Sequence, residues 1–162
     1  LRGAYLRGAY LSSADLSGAD LRRADLSRAY LSRAQGIAPE YCTPLLMLYE
    51  QPGSIRAYKL VNERGEGPFN GGIRYEIGQS YAVADASPDV LVQCGPGINV
   101  ATLDWCLSEW KPGYRVLVVE FTAADIAAIP TATGGKFRLH RCTVVSEKDV
   151  SKLVAPGEET KP

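Results

Sequence analysis

The first thirty-four residues repeat with a period of five. Leu occupies positions 1, 6, 11, 16, 21, 26 and 31, and Ala occupies 4, 9, 14, 19, 24, 29 and 34, without exception. A period of five matches neither the 3.6 of a helix nor the 2 of a flat strand. On an α-helix each step of five advances about 140° past a full turn. The leucines would scatter around the cylinder and no continuous apolar face would form. Five residues per step instead suit a coil with straight sides, one repeat to a side, each side presenting two residues inward. The invariant positions are the inward ones: the large Leu and, two residues earlier, the small Ala. Large and small alternate because the interior of a narrow coil is tight. The expected repeat core is therefore Leu1, Ala4, Leu6, Ala9, Leu11, Ala14, Leu16, Ala19, Leu21, Ala24, Leu26, Ala29, Leu31 and Ala34.

Ala14-Asp15-Leu16, Ala19-Asp20-Leu21 and Ala24-Asp25-Leu26 carry the pattern most fully, and Tyr5, Tyr10 and Tyr30 replace Asp in other repeats. Residues 1–35 thus resemble the pentapeptide-repeat family, whose pattern is Ala-(Asp/Asn)-Leu-x-x. The resemblance implies a right-handed quadrilateral β-helix with four repeats per coil. Seven repeats make about one and three-quarter coils, against roughly three units for a self-supporting stack. The chain opens at a core leucine inside a repeat, so further repeats or another molecule are expected over the open end near Leu1. An uncovered end would leave backbone groups open to edge pairing. Stacking should set Tyr10 over Tyr30, Tyr5 over Asp25 and Arg2 over Arg22.

Charge narrows the functions. The chain of 162 residues has 18 basic and 18 acidic side chains, formally neutral. That argues against a dedicated nucleic-acid binder or a polybasic membrane-surface protein. Residues 1–35 hold six Arg against three Asp, net +3, and the remainder is −3. Some members of the resembled family imitate duplex DNA, a role that needs a long acidic rod; this short positive stretch does not suit it. The longest strongly apolar run, around 116–121, is far too short for a membrane span. No secretory signal is visible, so a cytoplasmic or virion-associated location is expected. Cys42, Cys94, Cys106 and Cys142 show no CxxC pairing, so no metal site is expected, and reduced, largely buried thiols are. No cofactor motif is complete.

The period fails at Gln35-Gly36. Residues 36–53, with Ile37, Tyr41 and the run Leu45–Tyr49, are expected to cap the coil and lead into a second unit. Residues 54–154 read as a small α+β domain, so the whole chain is expected to be mainly β, a short β-helix followed by an α+β head. Strands are expected at 55–61, 90–94, 114–121 and 136–145, and a hairpin of 73–77 with 80–84 about Gly78-Gln79. A helix is expected over 101–110, N-capped by Thr102 and ended by Pro112-Gly113, and a helical turn over 123–129. Residues 155–162 read as a flexible tail.

Gly72-x-x-Tyr75-x-x-Gly78-x-x-Tyr81, followed by the run Cys94 to Ala101, resembles an uncharacterised domain found beside pentapeptide repeats in bacterial and bacteriophage proteins. The similarity spans about residues 60–145. In that pattern a His commonly stands where this chain has Asn99.

Strand alternation over 136–145 predicts Lys136, Arg138, His140 and Cys142 on one face. Such a basic row could hold a phosphate or carboxylate. Arg74, Asn99, Arg138 and His140 are therefore the candidate ligand-binding residues. A solvated or partly buried strand face accounts for the same row. The Cys94–Gly97 run fits a tight turn better than an anion nest, and the tryptophans fit core or interface anchors better than a ligand cage. No catalytic residues are assigned. The expected function is a non-enzymatic structural or protein-interaction module, a β-helix scaffold presenting the head in an oligomer or larger assembly such as a virion, with a protein partner or self-association. The alternatives are a small ligand- or nucleotide-binding domain or enzyme tethered by the repeats, and an inhibitor acting by protein-surface mimicry.

Overall fold

The computed structural model describes residues 1–38, 43–69 and 71–154. Tyr41, Cys42 and the expected tail at 155–162 lie outside them.

Each repeat begins with a tight turn. The N–H of Ala4 donates to the carbonyl of Leu1 at 2.9 Å, and the same bond recurs from Ala9 to Leu6 and onward to Ala34 and Leu31. The third residue of each turn is left-handed, as a type II turn requires. Glycine fills it at 3, 8 and 18; Ser13, Arg23, Arg28 and Arg33 adopt φ of 59–62° there. Aspartate makes the corner: the carboxylates of Asp15, Asp20 and Asp25 accept the N–H two residues on. The Ser17 and Ser27 hydroxyls, and then these N–H bonds, hold the carboxyl groups of Asp15 and Asp25 below the usual carboxylate range.

The chain returns over itself after twenty residues. Tyr5 pairs with Asp25, Tyr10 with Tyr30 and Asp15 with Gln35, all parallel. The Tyr10 and Tyr30 rings stack at 4.7 Å and 5°. Leu21, Leu26, Ala29 and Leu31 are almost wholly buried, whereas Leu6, Leu11, Ala14 and Ala19 are partly so. Leu1 is 54% exposed, so the inward position is not filled at the first repeat.

Beyond the repeats the described residues form one antiparallel sheet of seven strands: β1 (Ile55–Val61), β2 (Ser80–Ala82), β3 (Ile98–Ala101), β4 (Arg115–Phe121), β5 (Ile126–Ala128), β6 (Lys136–Leu139) and β7 (Arg141–Lys148). Their order is β2-β7-β4-β1-β3-β6-β5. The molecule is thus mainly β. The described residues also contain one short helix, α1 (Leu103–Ser108), and 3-10 turns at Pro44–Glu50 and Ala123–Asp125. Thr102 stands at the N-cap of α1 without a side-chain bond.

Several expectations need correction. The run 136–145 is not one strand. His140 alone separates β6, which pairs with β3 and β5, from β7, which pairs with β4 and β2. The inward set changes phase there, from Phe137 and Leu139 to Cys142 and Val144. Lys136, Arg138, His140 and Cys142 therefore do not form one row. Because β6 and β7 are continuous in chain, the circuit β1-β4-β7-β6-β3-β1 closes on itself. Ala57, Val61, Ile98, Val100, Leu117, Val119, Phe121, Phe137, Leu139 and Val144 fill its core. Residues 73–77 make no hairpin: β2 pairs with β7, and Gly78 serves a turn whose N–H donates to the carbonyl of Val144. Residues 90–94 are irregular, and β3 was not foreseen.

The 3-10 turn's Leu45, Leu46 and Leu48 pack on the sheet core, while Ile37, Leu91 and Ala132 join the repeat core. The sheet domain itself thus covers the coil. Within the stack the N–H of Gly3, Gly8 and Ser13 each bonds to the carbonyl nineteen residues ahead. Arg28 holds the equivalent position, and its N–H bonds to Ala132 O at 2.8 Å. The Ala4, Ala9 and Ala14 carbonyls accept N–H groups from the next turn. The Ala29 carbonyl instead accepts Gln93 Nε2 at 2.7 Å. A loop backbone and one side chain so take the place of a third turn of coil on this side.

Candidate functional site

The sheet brings Tyr58 opposite Ala101, and Ala101 opposite Lys136, across β1, β3 and β6. Paired residues share a face, so Tyr58, Ala101 and Lys136 form one row on the face away from the main core. Two residues along β3, Asn99 stands opposite Arg138 on that same face. Gly67-Pro68-Phe69 and Trp105 of α1 close over this row. Together with Lys59 they line a recess of about 30 Å³. Phe69, Trp105 and Lys136 also line an adjoining cleft of about 450 Å³, whose far wall is the coil at Arg28–Ser32. Arg28 Nη2 meets Glu109 Oε1 of the sheet domain at 2.7 Å across this cleft.

Lys59 is 5% exposed and Lys136 is 9% exposed. Lys59 Nζ donates to the backbone carbonyl of Asn99 at 2.7 Å and lies 4.6 Å from the Tyr75 ring centroid. Burial pushes its pKa down to about 8, with Lys136 adding to the depression. Lys136 Nζ bonds Cys94 Sγ and lies 5.6 Å from the Trp105 ring centroid. Neither lysine forms an ion pair among the described residues. Asn99 Nδ2 is held by the carbonyls of Gly95 and Gly97 at 3.2 and 3.3 Å, whereas its Oδ1 is buried with no hydrogen-bond partner.

The four candidate ligand-binding residues do not converge. Arg138 is fully buried, and its guanidinium donates to the carbonyls of Ser87, Val92 and Asp89. It ties down the loop before β3 and has its fork committed. A side chain at Gly95 would collide with Arg138 Nη1, which accounts for that glycine as packing. Arg74 is exposed beside Glu76. His140 joins the bend through its backbone, donating to Asp125 O at 2.7 Å and accepting from Val83 N. Cys142 faces the core, where burial pushes its thiol up to about 11, so it makes no nucleophile beside His140. Only Asn99 lies in the recess. Lys59 was missed. Its signal was a lysine placed among the core-facing residues Ala57 and Val61, with no acid on the same strand.

Among the described residues no group of three His, Cys, Asp or Glu gathers to hold a metal. Cys94, Cys106 and Cys142 are free thiols. No helix of the described residues is long and apolar enough to cross a membrane.

Comparison with known families finds pentapeptide repeats, in eight copies, over residues 1–35. No curated protein and no solved structure matches the chain.

Proposed function

We propose that the chain is a non-enzymatic structural or protein-interaction module. In this reading residues 1–35 form a right-handed quadrilateral β-helix and the sheet domain is a head fixed on its end. The return after twenty residues and the buried Leu and Ala positions support the coil. The head, on the motif from Gly72 to Ala101, is taken as the domain that accompanies such repeats in bacterial and bacteriophage proteins.

The carrying observation is the asymmetry of the coil. One end is built into the head through Arg28, Ala132 and Gln93. Toward the other edge Leu6 and Leu11 are only partly buried, and Tyr5 and Tyr10 are 77% and 83% exposed. Exposed tyrosine and arginine are favoured contact residues at protein interfaces. An edge that already pairs in parallel on one side accepts further β-structure of the same spacing on the other. Another coil of the same repeat is the occupant that reproduces both its hydrogen bonds and its Leu ladder, so the module is read as self-associating.

Light scattering on the eluting protein tests this. At micromolar concentration the chain should run as a dimer or larger. Leu6→Gln and Tyr10→Ser should each shift it toward monomer without loss of the folded sheet. A monomer at every concentration up to about 100 μM, well above the usual range of specific association, would sink the self-association reading.

A further inference from the structure

We propose that the recess between Lys59, Lys136 and Asn99 binds the oxyanion head, phosphate or carboxylate, of a small molecule whose remainder lies in the cleft between sheet domain and coil. The proposal does not depend on whether the coil self-associates.

Two lysines, each more than nine-tenths buried, line one recess, and Lys59, on the core side of β1, is tied to it through the Asn99 carbonyl. Taking a charge out of water is costly unless an opposite charge answers it. The partners present include no carboxylate: a carbonyl and a ring face for Lys59, the Cys94 sulfur and a ring face for Lys136. The other titratable groups near Lys59 are Tyr75, Cys106 and Cys142, and burial pushes all three upward, which keeps them uncharged at neutral pH. The recess lining therefore supplies two lysines and no carboxylate. Each ammonium has three donors, and one acceptor apiece leaves donors to spare on both.

Asn99 adds an independent sign. Its amide nitrogen is pinned by two carbonyls, so its orphaned Oδ1 is held in place. A buried acceptor without a donor is costly. A hydroxyl or amine on the ligand, or the protonated oxygen of hydrogen phosphate, would satisfy it. The recess is sized for a head group alone. The adjoining cleft, with Arg28, Tyr30, Gln93, Phe69 and Trp105 on its walls, is of small-molecule size.

Trp105 stands in the wall and can report occupancy. In a Trp110→Phe background it is the sole tryptophan. Sodium phosphate and sodium acetate are each titrated at pH 7, with chloride holding the ionic strength. We expect a saturable change in Trp105 emission with at least one oxyanion and none with chloride. The tighter of the two identifies the head group. Lys136→Gln and Lys59→Met should each weaken binding at least tenfold, the effect of losing one charge-assisted contact of about 1.4 kcal/mol or more. If Lys59→Met fails to fold, Lys136→Gln decides. The proposal is overturned if neither oxyanion gives a saturable change up to about 50 mM, far weaker than ordinary ligand affinities. It is equally overturned if the lysine variants bind as well as the parent.

Discussion

A lysine in the middle of β1 is the residue that most sets this molecule apart. Lys59 faces the same side as Ala57 and Val61, and it is buried with only a carbonyl and a ring face for company. Its pKa falls to about 8 because burial disfavours the ammonium. Below pH 8 both folded and unfolded chains hold this proton, and the burial penalty is fully present. Between about 8 and 10 the folded chain releases the proton while the unfolded chain keeps it, so stability rises with pH. The core thiols act in the opposite sense. Burial pushes Cys142 up to about 11 and Cys106 up to about 12. Above the ordinary thiol value of about 8.5 the unfolded thiols ionise and the folded ones do not, so stability falls. Urea midpoints in buffers free of phosphate and carboxylate should rise from pH 7 to about 8.5 and decline beyond 9. Lys59→Met should remove the rise and add on the order of 2 kcal/mol at pH 7. A Lys59→Met profile that kept the rise would refute this account. Nothing in the strand pattern discloses the residue's state. An alternating strand shows which side a residue faces, and the neighbours that desolvate it come from β3, α1 and β7.

At the scale of elements the repeat and the bent strand make an instructive pair. The repeat is locally determined: each five-residue turn closes its own Leu-to-Ala hydrogen bond and each Asp caps its own corner. The left-handed third position follows from that turn, and four of its seven occupants carry side chains there. Leaving the left-handed region to glycine relieves roughly 1 kcal/mol of steric cost, less the extra freedom glycine has when unfolded. Arg33→Gly should therefore raise stability by about 0.5 kcal/mol, whereas Gly18→Ala should lower it by about 1 kcal/mol, read from denaturant midpoints. Equal effects of the two changes would contradict the turn assignment. The run 136–148 is the opposite case. Its residues favour strand throughout, yet pairing with β3 at one end and β4 at the other bends it at His140 and shifts the phase of its side chains. The basic row expected on it was lost to that shift. Gly78 likewise marks a turn correctly, while the partner of β2 was decided by β7, sixty residues away.

At the scale of the molecule the decisive feature is the joint. Ala132 and Leu91 pack in the repeat core, and Ala132 and Gln93 satisfy backbone groups of the coil's last turn. Because coil and sheet share these contacts, they should unfold together. One transition is expected, with coincident midpoints by circular dichroism and tryptophan fluorescence. Gln93→Ala strands the buried Ala29 carbonyl and should cost about 1–2 kcal/mol while leaving the transition single. Two separated transitions in the parent chain would show that the joint is weaker than its contacts imply. The same joint builds the cleft, because the coil is one wall and α1 with β6 the other.

The sequence by itself determined the repeat and its recurring Leu and Ala positions, because these are fixed by a strict period, while the twenty-residue stacking followed from the resemblance to pentapeptide repeats. It also indicated most strands and the short helix, through local apolar patterns and punctuating glycine and proline. Only the tertiary structure decided which loop covers the coil, where the strand after Lys136 bends, and that Lys59, Lys136 and Asn99 meet. Those outcomes rest on pairing between distant segments and on the desolvation that packing imposes, and neither leaves a mark on any short stretch of chain.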